Sequence, residues 1–132
     1  MLLYGVQNAT TQAVVADGLI ATGDMYRKYD KPNNCGVFAF SNTSTGITLH
    51  RKGIYRLTAT FYPSAAFTGT IQLLENGIPV PSATANGENL TIDRYILVDP
   101  ACGWSTAAKT ITFSTDTAVT LDNVVVNITK EV

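Results

Sequence analysis

Between Gly53 and Tyr62 the side chains alternate strictly: Tyr55, Leu57, Ala59 and Phe61 share one face, and Arg56, Thr58 and Thr60 share the other. A strand points successive side chains to opposite faces, so this is the pattern of a half-buried antiparallel strand. Pro63-Ser64 ends it, because proline has no amide hydrogen to give a ladder. Thr70–Leu74 is followed by Glu75-Asn76-Gly77 and then by Ile78-Pro79-Val80-Pro81. Asn-Gly accepts the two positive-φ positions of a type I′ turn and predicts a hairpin. The prolines at 79 and 81 mark its return strand as a sheet edge.

The same period recurs along the chain. In Leu90–Val98, Ile92, Arg94, Ile96 and Val98 oppose Thr91, Asp93, Tyr95 and Leu97. Both faces are apolar in its C-terminal half, which predicts that this half is covered inside an assembly. Thr110–Phe113, Thr117–Leu121 and Val124–Lys130 read as further strands, and shorter pieces are predicted at Ala13–Val15, Leu19–Ile20, Met25–Tyr29 and Gly36–Phe40. No helical stripe appears, and turn residues punctuate the chain every ~8–12 positions, as in an all-β sandwich or barrel. The expectation is eight to ten strands in one domain spanning residues 1–132.

Composition narrows the function classes. Of the 132 residues 45% are hydrophobic and only 14% charged, with a net charge of −1. That balance is the opposite of a disordered chain's, and it lacks the basic surplus that displaces counterions from nucleic acid. No run approaches the ~18–20 apolar residues of a membrane span. The start, Met1-Leu2-Leu3-Tyr4-Gly5, has neither a basic nor a long apolar region, so no secretory signal is visible. Neither nucleic acid nor membrane is expected as a partner. The chain is expected to work where it is made or to leave the cell within a larger particle. Cys35 and Cys102 match neither a metal knuckle nor a redox pair. One disulfide joining them is a candidate, and two reduced buried thiols are the preferred reading. The sequons at Asn8, Asn42, Asn89 and Asn127 are read as chance matches in an Asn/Thr-rich chain.

Ile47-Thr48-Leu49, a basic turn His50-Arg51-Lys52, and Gly53-Ile54-Tyr55-Arg56-Leu57 form an "I-x-L … G-x-Y-x-L" pattern. With the Thr70–Pro81 hairpin, the opening Thr11–Tyr26 segment and the closing Val124–Lys130 strand, it resembles the globular heads of the tumour-necrosis-factor and complement superfamily. The likeness is to the prokaryotic and phage branch, which includes C-terminal domains of collagen-like spore-surface glycoproteins and phage appendage proteins. It runs in order over nearly the whole chain. It implies a two-sheet antiparallel jelly roll that assembles as a homotrimer around a three-fold axis. Collagen repeats and a stalk are absent, and the cysteines have no counterpart in the pattern.

No enzymatic machinery is expected. His50, the single histidine, lies in a basic turn and is read as solvated, because a general base needs a nucleophile or an orienting carboxylate beside it. The carboxylates are scattered singly, and no loop gathers the ~6–8 oxygens of a calcium site. A site on the three-fold axis drawing one Asp from each subunit is the arrangement left open, and no cofactor or metal is assigned. Phe38, Phe40, Tyr55, Phe61 and Phe113 are expected in the core. Tyr62, Tyr95 and Leu97 are the candidate interface residues, since an aromatic body with a polar tip suits an interface. Trp104 is either an exposed stacking surface or a lid over the sandwich end, and Asn89 lies in a second candidate partner loop.

Two functions follow as expectations. The first is a structural homotrimer on a virion surface, such as a capsid decoration, head fibre or baseplate component, assembled in the host cytoplasm and bound to other virion proteins. The alternative is a receptor- or glycan-binding module on a phage tip, or on a spore or cell surface, meeting a host surface glycan.

Overall fold

The structure is a computed structural model that describes residues 1–99 and 108–132. Among these residues there are eleven strands and no helix. They are β1 (Leu2–Asn8), β2 (Gln12–Val14), β3 (Asp24–Tyr29), β4 (Phe40–Thr43), β5 (Gly46–Leu49), β6 (Gly53–Pro63), β7 (Thr70–Glu75), β8 (Ile78–Asn86), β9 (Thr91–Val98), β10 (Lys109–Thr115) and β11 (Val119–Lys130). They form two antiparallel sheets. A six-stranded sheet has the order β3-β1-β11-β6-β9, with β2 also on β11, and a five-stranded sheet has the order β4-β5-β10-β7-β8.

The sandwich closes because each sheet has one continuous apolar face. From the six-stranded sheet, Tyr55, Leu57, Ala59 and Phe61 of β6 are fully buried beside Val124, Val126 and Ile128 of β11. Ile71, Leu73, Ile111 and Phe113 of the other sheet belong to the same core. Phe61 and Phe113 meet edge to face with centroids 5.3 Å apart, and Phe40 stacks on Tyr4 while its edge meets Tyr55. Such pairs add ~0.5–1.5 kcal/mol each beyond their area.

The hairpin forms as expected, with φ of 52° at Asn76 and 80° at Gly77. Its return strand β8 ends the five-stranded sheet, so the prolines sit at an edge. Several expectations are corrected. β1, a central strand between β3 and β11, was missing from the expected set. Thr117–Leu121 and Val124–Lys130 are not two strands but the single β11, whose register to β6 slips between Leu121 and Asn123. The inserted residue lets Leu121 and Val124, three positions apart, both point inward. Leu19–Ile20 makes only an isolated bridge, Leu19 to Ser114.

Gly36–Phe40 is a loop until Phe40, and Phe38 is exposed rather than in the core. Side chains take the backbone amides there that a ladder would use. The Asn33 Oδ1 accepts from the Cys35 and Val37 amides, and the Asp30 carboxylate accepts from those of Ala39 and Phe40. Asn and Asp compete with regular structure in this way.

Candidate functional site: the outer face of the six-stranded sheet

The outward side chains of the six-stranded sheet line up in rows across its strands. One row runs Tyr29, Leu3, Thr129, Arg56, Tyr95, and the neighbouring row pairs Ile54 of β6 with Leu97 of β9. Tyr95 is 65% exposed and Leu97 49%, and Ile54 beside them is also exposed. These three make a contiguous apolar patch at the β9 end of the sheet. The strict alternation that buries Tyr55 and Leu57 turns Ile54 outward, but its place beside Leu97 is set by the β6–β9 register and was not expected.

A charged clamp fixes the patch. Arg56 donates Nε and Nη2 to Asp93, at 3.1 and 2.8 Å, and its guanidinium carbon lies 5.9 Å from the Tyr95 ring centroid. The hydrogen bonds from Arg56 hold the Asp93 carboxyl below the usual carboxylate range, and the same bonds raise the Arg56 pKa. Toward the other edge, Asn127 Oδ1 accepts from the Tyr26 hydroxyl at 2.7 Å and from Arg27 Nε at 3.1 Å.

The five-stranded sheet presents a more polar outer face, carrying Thr48, Thr110, Thr112, Ser114, Gln72 and Thr84, with half-buried Leu74 opposite Thr112 and an apolar edge at Ile78–Pro81. Thr48 and Thr110 share a hydrogen bond of 3.1 Å between their hydroxyls. Among the exposed large apolar residues, Ile54, Tyr62, Tyr95 and Leu97 lie on β6 and β9, whereas Ile78 of edge strand β8 is the one in the five-stranded sheet.

The expected interface residues are therefore split. Tyr95 and Leu97 come together, while Tyr62, also 49% exposed, pairs with Asn123 at the far end of β6. From Arg56 to Tyr62 is about 20 Å at ~3.3 Å per residue. Asn89 is exposed in the turn before β9, and its Oδ1 accepts from the Thr91 amide at 3.2 Å. Trp104 and Cys102 lie outside the described residues. Cys35 is exposed, so the expectation of a buried thiol fails for it, because the Asn33-capped turn carries it at the surface.

His50 is half-buried rather than solvated, and its Nε2 lies 2.7 Å from Ser41 Oγ across the β4–β5 hairpin. Ser41 could be a nucleophile to that base, but no described carboxylate hydrogen-bonds the imidazole to orient it, as a triad requires. Among the described residues no group of three or more His, Cys, Asp or Glu is placed to hold a metal ion.

No protein-family model and no curated protein matches the chain. Solved structures do. The crystal structure of rabbit GITRL, a ligand of the TNF family, is matched over 100% of this chain and 95% of its own, with a TM-score of 0.56 at 12% identity. The CBM35 module of Cellvibrio japonicus Abf62 is matched over 97% and 96% with a TM-score of 0.37 at 16% identity. The two antiparallel sheets thus form a TNF-like jelly-roll sandwich.

Proposed function

We propose that this chain is a non-enzymatic structural protein, a homotrimeric jelly roll of the prokaryotic and phage branch on a virion surface, serving as a capsid decoration, head fibre or baseplate component. The observation that carries the reading is the contrast between the two outer faces. One bears the clamped Ile54–Tyr95–Leu97 patch and the other a hydroxyl-rich ladder. A contiguous apolar patch rimmed by polar residues is the signature of an association surface. The threonine face suits a hydrated exterior. The patch grows from the segment of β9 whose two apolar faces call for cover on both sides. The trimeric count and the virion setting rest on the "I-x-L … G-x-Y-x-L" resemblance.

Sedimentation equilibrium at micromolar concentration is the test. A species of three times the 14.1 kDa chain mass is expected, and a monomer or a dimer overturns the trimer. Labelling the protein in purified particles by electron microscopy tests the setting, and its absence from every particle overturns that part.

A further inference from the structure

We propose a second site, separate from the sheet face, that binds an oxyanion at the end of the sandwich where β5 turns into β6. Arg51, Lys52 and Lys130 converge there on an open depression of about 540 Å³, also lined by His50. A second depression of about 290 Å³ shares Arg51 and Lys130 and adds Lys31. Four of the nine Lys and Arg residues of a chain with net charge −1 thus face one small region.

The cations come from three separate stretches of chain, and the fold places each of them. Lys130 ends β11, and its ammonium lies across Gly53, where an added Cβ would stand 2.8 Å from Nζ. Gly53 has φ of 151°, a conformation glycine tolerates and side chains avoid, so the seat for Lys130 is built into the backbone. Lys130 also lies 5.9 Å from the Tyr55 ring centroid and donates to the main-chain oxygen of Val132, which takes one of its three hydrogens and leaves two for a ligand. Arg51 is oriented by a bond from Nη1 to the Lys31 carbonyl at 2.9 Å, which leaves the rest of its guanidinium fork unused by that contact. The backbone carbonyl of Arg51 accepts from the Tyr55 hydroxyl, tying the turn to the core.

Acidic side chains nearby are engaged elsewhere. Asp30 is held by the Ala39 and Phe40 amides, and Glu131, which borders the smaller depression, accepts from Thr129. The ion pairs among the described residues are Arg56–Asp93 and Lys109–Glu75, and neither includes Arg51, Lys52 or Lys130. The charges repel one another, since Arg51 and Lys52 both push the Lys130 pKa down after burial has done so. A guanidinium fork with two ammoniums around a shallow, partly desolvated hollow fits a tetrahedral or planar oxyanion: phosphate, sulfate or carboxylate.

The probe is inorganic sulfate titrated into the full chain at constant ionic strength against chloride, read by amide chemical shifts at residues 51–53 and 130. Saturable shifts confined to those amides are expected. Arg51→Gln/Lys52→Gln should weaken binding at least tenfold, and Arg27→Gln/Arg94→Gln, which removes the same charge elsewhere, should not. Lys52→Glu, at an exposed turn position, guards against a folding defect in the double variant. Shifts that never saturate, or that respond equally to both double variants, overturn the site. A sulfated disaccharide binding tenfold tighter than inorganic sulfate assigns the anion to a sugar, and equal affinity assigns it to the free ion. Because the readout is local, a failed trimer leaves this result standing, and the converse holds.

Discussion

Tyr26 lies across Gly5. A Cβ built on Gly5 would come within 2.8 Å of the Tyr26 ring and 2.7 Å of Asn127 Oδ1. The missing side chain thus lets a tyrosine from edge strand β3 reach over β1 and bond to β11. Gly5→Ala should cost about 1–3 kcal/mol through overpacking, measured by urea denaturation. In a Tyr26→Ala/Asn127→Ala background, which removes both close contacts, most of that cost should vanish. An equal cost in both backgrounds would place the strain elsewhere.

Gly77 has φ of 80° and open space around its would-be Cβ. Gly77→Ala therefore isolates the left-handed conformation of the type I′ turn from any clash. The expected loss is about 1 kcal/mol of stability with an unchanged fold. A neutral result would mean that the turn relaxes to another type.

Thr22 is fully buried, and its hydroxyl has no hydrogen-bond partner among the described residues. Replacing an unsatisfied hydroxyl with a methyl of the same shape removes a desolvation cost of ~1–3 kcal/mol. Thr22→Val should therefore raise the denaturation midpoint. A lower midpoint would reveal a partner for the hydroxyl, such as a bound water.

Of these three positions only Gly77 was readable from the chain's own pattern; Gly5 and Thr22 depend on contacts between distant strands. Strong local signals carried over well: the Tyr55–Phe61 alternation became the central β6, and Asn76-Gly77 became its expected turn. β1 escaped because Leu2, Leu3, Tyr4 and Val6 are apolar on both faces, and a short apolar run without alternation resembles any terminus. β11 was cut in two by a one-residue bulge, which shifts phase without leaving any composition signal. Phe38 looked like core by residue type, but Asn33 and Asp30 had claimed the loop's amides. The sheet-face patch was half legible, through Tyr95 and Leu97. Their companions Ile54 and Arg56 depend on register between strands, which pairs positions about 40 residues apart. The oxyanion hollow was legible only as a basic turn, because Lys130 arrives from the far end of the chain.

If the Ile54–Leu97 pair lies inside the trimer, a charge there must be desolvated on assembly. Leu97→Lys, at a position 49% exposed in one chain, should leave the subunit folded and shift sedimentation to the monomer. Tyr62→Ala should disturb assembly less, given its separation along β6. A Leu97→Lys protein that remains three times the chain mass would remove this face from the interface.

The pH profile should be limited at both ends by named groups. Burial pushes the Tyr55 hydroxyl up from 10.0 to about 12, and the charge of Arg51 only partly opposes the shift. A raised pKa means that the folded state holds its proton longer than the unfolded chain. The contribution is complete below pH ~10 and is lost as pH rises toward 12, at up to about 1.4 kcal/mol per unit. At the acid end the signs reverse. Hydrogen bonds from Arg56 depress Asp93, and the Thr70 amide depresses Asp116. Their contribution is present above the ordinary carboxylate pKa and is lost as pH falls through the lowered values. Because Asp93 and Asp116 are exposed, the acid loss should be small and should shrink with added salt. Denaturation midpoints from pH 2 to 12 should therefore show a steep alkaline limb and a shallow acid one. Tyr55→Phe should flatten the alkaline limb while costing stability at pH 7 through the lost hydroxyl bond. An alkaline limb that persists unchanged in Tyr55→Phe would assign it to another group, and Tyr4, raised first by burial and then by Asp30, is the next candidate.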